Sequence, residues 1–113
     1  TIEARPWEGR HEAGADAVIN CTPLGMKGGP APDGTPMDIP VGVGGRSPHA
    51  IIFDTVYNPA RTPLLVQAER AGHEIIDGVS MFTVQGAMQF RMWTGRDAPA
   101  ELFERLVRAR LGV

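Results

Sequence analysis

The sequence predicts an α/β layer built on a parallel sheet, half of a doubly wound domain, and three observations carry that reading. Two short apolar runs, at residues 17–21 and 50–54, each stop abruptly at polar residues or proline. Strands that are apolar on both faces belong to sheets covered by helices. A third, shorter run at 74–78 follows a helix-like segment, so the order is strand, loop, strand, helix, strand, helix, helix. Strands separated by a helix favour parallel pairing.

Each element has a local reason. Residues 1–16 are mixed and polar and read either as the tail of a helix or as a poorly ordered leader. The run AVINC ends at Thr22-Pro23, and proline keeps its predecessor extended, so the chain leaves the strand at Thr22. Residues 26–49 form a long Gly- and Pro-rich loop, of the kind that is functional or mobile more often than filler. After AIIFD, Thr62 is placed to cap a helix with Pro63 at its first position, and Leu64, Leu65 and Ala68 share one side of it. Gly72 is its stop, and EIIDG then gives the third strand. From near Ser80, the residues Met81, Val84, Gln85, Met88 and Met92 recur at helical spacing up to Gly95. Asp97 with Ala98-Pro99 opens a last helix, with Leu102, Phe103, Leu106, Val107 and Leu111 as its apolar stripe and Glu101, Glu104, Arg105 and Arg108 in water.

Composition narrows the function. With 113 residues this is one domain or part of one, here residues 1–113. The first residue is threonine, and no complete element precedes Ala17, the pattern of a chain that begins inside a larger protein. A net charge of -2 gives no reason to expect nucleic acid or an anionic membrane as partner. No apolar run is long enough to span a bilayer. The single cysteine, Cys21, excludes an internal disulfide framework, which agrees with a cytoplasmic, reducing setting. His11, His49 and His73 have no metal-ligand spacing with Cys21, so no metal is expected. No GxGxxG follows a strand, and Gly42-Val43-Gly44-Gly45 sits in a loop without one before it, a weak phosphate cradle.

In an open parallel sheet, ligands bind beyond the carboxyl ends of the strands. Three polar corners fall there: NCTPLG (20–25), DTVYNP (54–59) and DGVSM (77–81). Asn20 serves either a ligand or its own turn, and Gly25 permits a positive φ or a close backbone approach. Asp54 is better suited to orienting neighbouring amides. Tyr57 offers a hydroxyl to a small polar substrate or packs as a capped tyrosine. Gln85 offers donors and an acceptor together, for a polyhydroxylated ligand or for a backbone partner. Met81 and Met88 suit a core more readily than a cofactor contact.

Taken together, VINCTPLGM (18–26), DTVYNPARTPLL (54–65) and GVSMFTVQGAMQFRMWTG (78–95) resemble, in order, three segments of the C-terminal part of shikimate and quinate/shikimate dehydrogenases. The resemblance covers nearly everything from Asp16 onward. It implies the C-terminal half of a Rossmann-like nucleotide-binding domain with C-terminal helices. It also implies an oxidoreductase of aromatic-precursor biosynthesis that interconverts 3-dehydroshikimate and shikimate with NADP, or with NAD. The matching positions place Asn20, Cys21, Thr22, Pro23, Leu24, Gly25 and Thr55 near the cofactor, and Gly78 and Met81 beside the nicotinamide. Tyr57 and Gln85 match positions that bind the substrate, shikimate or 3-dehydroshikimate, with quinate as the alternative. Ser80 and Phe82 depart from the Gly and Leu that many relatives carry around the methionine. The catalytic lysine and aspartate of the family belong to an N-terminal substrate domain that has no counterpart here, so no catalytic residue is assigned. Lys27 does not match that lysine. On this reading the chain is a fragment, inactive alone. The rival reading is a non-catalytic half-domain that binds a ligand or pairs with another protein, self-association included.

Overall fold

The computed structural model describes residues 1–12, 14–39 and 49–113. Three parallel strands, β1 (Ala17–Asn20), β2 (Ile51–Asp54) and β3 (Glu74–Ile76), form one sheet in that order. Asn20 pairs with Asp54, and Phe53 with Ile76, so the carboxyl ends of all three strands lie side by side. The expected α/β class and parallel pairing are therefore present. The strands are shorter than the apolar runs: Cys21 lies beyond β1, and Ala50 donates its amide to His73 Nδ1 at 3.2 Å.

Helix α1 (Pro63–Arg70) crosses between β2 and β3. It starts where the sequence predicts, because the Thr62 hydroxyl accepts from the Leu65 amide at 3.3 Å and Pro63 occupies the first turn. Gly72 follows its end with φ +83°, a conformation glycine adopts without the cost of a Cβ. Since side chains alternate along a strand, Val18, Ile52 and Ile75 share one face of the sheet. Ile52 joins Leu64, Leu65 and Ala68 in the core, with Val18 and Ile75 packed against it.

Met37 and Ile39, from the Gly- and Pro-rich 26–49 segment, complete that core. The described part of that segment is anchored: the Ile39 amide donates to Gln67 Oε1 at 3.0 Å and the Lys27 amide to the Asn58 carbonyl at 2.8 Å. Gly42 to Gly45 fall outside the described residues. The leader is neither of its two expected forms. Trp7–Glu12 is a 3-10 helix, tied down where Arg10 stacks 4.3 Å over the Trp7 ring and donates to the Pro36 carbonyl.

Two long helices finish the chain, α2 (Gly78–Thr94) and α3 (Ala100–Leu111). The third strand ends at Ile76, not Gly78, because Asp77 turns into the N-cap of α2 and accepts from the Ser80 amide at 2.8 Å. Asp97 does not open α3. Pro99 holds the cap position with no side-chain hydrogen bond, and Asp97 instead lies 3.5 Å from Arg91. The two helices pack on each other with an edge-to-face Phe90–Phe103 contact, ring centroids 6.0 Å apart. No residue of α3 is fully buried, and Leu102 and Leu106 of its apolar stripe stand exposed.

Candidate functional site

The three polar corners meet at the carboxyl edge of the sheet, and a buried hydrogen-bond network joins the first two. Asn20 ends β1 with its side chain enclosed. Its Nδ2 donates to Asp54 Oδ1 at 2.9 Å, and its Oδ1 accepts from the Thr22 amide at 2.9 Å and the Thr22 hydroxyl at 2.7 Å. Asp54, fully buried at the end of β2, also accepts from the Val56 amide at 3.0 Å and the Thr62 hydroxyl at 2.7 Å. A carboxyl removed from water needs such donors. The Thr62 hydroxyl donates to Asp54 while accepting from α1, so one carboxyl ties two strand ends to a helix start. Thr55 adds a further tie, donating from its amide and hydroxyl to the Asn20 carbonyl at 3.1 and 2.8 Å.

Asn20, Asp54 and Thr62 thus shape the corner from within. What they leave outward is the turn between them: Cys21 and Pro23 are exposed, Thr22 and Leu24 half-buried, and Gly25 is buried with φ +83°. A side chain at Gly25 would meet the Gly34 carbonyl and Pro63 Cδ at 3.3 Å, so this turn lies flat against α1 and the following loop.

The third corner touches the second through a glycine. A Cβ on Gly78 would lie 2.4 Å from the Val56 carbonyl oxygen and 2.8 Å from that of Thr55, distances no side chain tolerates. Gly78 therefore lets the first turn of α2 seat directly on the backbone beside Tyr57. Asp77 sets the direction of α2, accepting from both the amide and the hydroxyl of Ser80 at 2.8 Å. Arg108, from α3, donates to Asp77 at 2.9 Å and to Glu104. Partial burial alone pushes the Asp77 carboxyl up. The Ser80 amide and hydroxyl and the Arg108 guanidinium outweigh it and hold the group below the ordinary carboxylate range. Hydrogen bonds donated to Glu104 and Asp77 in turn raise the Arg108 guanidinium. Arg108 and Glu104 do not simply face water, as the helical pattern predicts, but clamp α3 to the start of α2.

Of the remaining candidates, Met81 and Gln85 line one groove of about 470 Å³ with Phe53 and Ile76 of the sheet and Met88 of α2. Tyr57 is not part of that lining. It stands on the Asp54–Pro59 corner, before the cis Asn58–Pro59 bond, and its ring stacks on Phe82 with centroids 5.0 Å apart and planes inclined by 26°. Offset aromatic pairs of this kind contribute about 0.5–1.5 kcal/mol beyond their buried area. The structure thus brings Met81 and Gln85 together and joins Tyr57 to the same helix through Phe82. Asp77 is a cap that the sequence pattern did not single out, although Asp is a favoured N-cap residue. Nothing local signals Arg108 or the Tyr57–Phe82 stack. Among the described residues, no group of three His, Cys, Asp or Glu side chains is placed to hold a metal, and no helix is long and apolar enough to cross a membrane.

A narrow parallel sheet with polar corners gathered at its carboxyl edge defines a Rossmann-like α/β unit. Residues 78–108 match the family described as Shikimate 5'-dehydrogenase C-terminal domain. Over 82% of its length the chain is 46% identical to the shikimate dehydrogenase (NADP(+)) of Oleidesulfovibrio alaskensis, of which it covers 32%. It superposes on the shikimate 5-dehydrogenase of Thermus thermophilus, solved with NADP(H) and shikimate, with TM-score 0.74 and 29% identity, over 96% of this chain and 38% of that one. The quinate dehydrogenase of Corynebacterium glutamicum, solved with NAD, gives 0.72 and 31% over 88% and 33%. The chain is similar to the C-terminal part of shikimate dehydrogenases. It spans about a third of the length of the curated relatives it matches.

Proposed function

We propose that residues 1–113 form part of the NAD(P)-binding domain of an NADP-dependent shikimate dehydrogenase, acting in the reversible reduction of 3-dehydroshikimate to shikimate. The observation that carries this reading is the meeting of the three corners at one sheet edge, in a chain 46% identical to a relative named for that activity. The setting is cytoplasmic and the pathway that of aromatic precursors, as for the family the sequence resembles.

Bound NADP supplies or accepts a hydride at the nicotinamide C4. Two features of the chain fit such a group. The outward turn 20–25 presents backbone and small side chains, and the groove beside Met81 offers apolar walls with Gln85 at its rim. In this reading Asn20, Cys21, Thr22, Pro23, Leu24, Gly25 and Thr55 form the cofactor-facing rim. Asn20 works from behind, holding the turn open by its bonds to Asp54 and Thr22. Gly78 brings α2 close to the corner, and Met81 packs against the ring. Tyr57 and Gln85 hydrogen-bond hydroxyl groups of the substrate, with shikimate or 3-dehydroshikimate the ligand and quinate a competitor. These residues orient reactants, which is a large part of catalysis. Proton transfer falls to the lysine and aspartate of the family's substrate domain, for which these residues contain no counterpart.

The test is a hybrid in which this chain replaces the matching stretch of the Oleidesulfovibrio alaskensis relative. A folded hybrid that oxidises shikimate with NADP, while the 113-residue chain alone does not, supports the reading. A folded hybrid without that activity overturns it.

A further inference from the structure

We propose that Phe82 is a positioning residue for Tyr57: its ring fixes the plane of the phenol and so the point at which the Tyr57 hydroxyl meets the substrate. The inference rests on the substrate-binding role proposed for Tyr57. Tyr57 is 43% exposed and Phe82 42%, so neither ring is held by enclosure. Among the described residues, Phe82 is the one aromatic ring in contact with Tyr57, and no hydrogen bond holds its hydroxyl. The backbone on both sides is firmly set. Val56, the residue before Tyr57, is buried, its amide is bonded to Asp54 at 3.0 Å, and its carbonyl lies against Gly78. Phe82 rides on the first turns of α2, whose start is fixed by the Asp77–Ser80 cap. With both Cα positions set, the remaining freedom of Tyr57 is rotation of its side chain, and a stacked partner at 5.0 Å removes much of it.

The consequence is preorganisation. A phenol already held in place loses less freedom when a ligand binds, so the stack acts on substrate affinity before it acts on the fold. Phe82 is also three residues before Gln85 on α2, neighbouring it on the helix surface. The same helix therefore carries one proposed substrate contact directly and aims the other through an aromatic ring.

Tyr57 is the chain's one tyrosine, which makes the test direct. With ring-labelled tyrosine, the 113-residue chain gives one set of Tyr57 ring signals by NMR. Phe82→Leu should move them and bring them toward an unstacked, freely turning ring. In the hybrid enzyme, Phe82→Leu should raise KM for shikimate about three- to tenfold while leaving KM for NADP unchanged. Phe82→Tyr should restore the shikimate KM. Leu106→Ala, which loosens the α2–α3 contact that Phe82 also lines, should leave it alone. Unmoved ring signals overturn the proposal, as does a moved ring with an unchanged shikimate KM. If the unsubstituted hybrid has no activity while the ring signals still report the stack, the proposed function fails and takes the substrate role of Phe82 with it. A ring that does not respond to Phe82 defeats the positioning role alone.

Discussion

The two faces of the sheet are made of similarly apolar residues and have opposite fates. On one, Ile52 lies with Leu64 and Leu65 in a closed core. On the other, Ile19, Phe53 and Ile76 form a row in register, yet Ile19 is 57% exposed and Ile76 39%. Helix α1 covers the first face, whereas α2 meets Phe53 and Ile76 of the second along the groove that holds Met81 and Gln85. Stability therefore resides on the covered face, and the proposed ligand contacts lie along the edge of the open one. Burial shows the same division: α1 contributes Leu64, Leu65 and Ala68 to the interior, and α3 contributes no fully buried residue.

The largest effect should come from breaking the covered face. Leu65→Ala removes a fully buried side chain and should cost about 2–5 kcal/mol of unfolding free energy, read from urea denaturation. Next is the seam between the faces. Gly78→Ala places a methyl group against the Val56 carbonyl and should cost about 1–3 kcal/mol, or displace the start of α2 and with it Met81. A smaller, pH-dependent effect belongs to Asp77. Its folded carboxyl ionises at lower pH than the unfolded one, so its contribution is present above the ordinary carboxylate range. That contribution is lost as pH falls through the folded value. Acid should therefore loosen α3 from α2, as seen by the Phe103 environment, and Asp77→Asn should show the loosening at neutral pH. Smallest of all, Ile19→Thr on the open face should change stability by about 0.5 kcal/mol or less. A loss for Ile19→Thr as large as that for Leu65→Ala would erase the distinction between the faces.

Much of this was legible because the signals are local. The Thr62-Pro63 helix start, the Gly95 stop with φ +67° and the apolar β1 and β2 runs depend on residues a few positions apart. The three corners were also legible as corners, and their meeting follows from parallel order. What escaped depends on tertiary distance. Asp77 caps α2 through the nearby Ser80, a local signal, but its tie to Arg108, 31 residues away, had none. Met37 and Ile39 sit among glycines and prolines, and only the space beside α1 makes them core. Within the candidate site, residue types pointed to Asn20 as a ligand contact or a turn cap. Its buried bonds to Asp54 and Thr22 assign its side chain to the corner itself. Phe82 gave no local sign, because its partner lies on another element.

The central claim is that the sheet's carboxyl edge, with its three corners, is the ligand side of this chain. Hydrogen exchange in the hybrid enzyme, with and without NADP and shikimate, tests it most directly. The account predicts slowed exchange within 20–25, 55–59 and 78–85 on ligand addition, with α3 from Ala100 to Leu111 unchanged. Slowing confined to α3, or absent from all three corners in a hybrid that turns over shikimate, would contradict it.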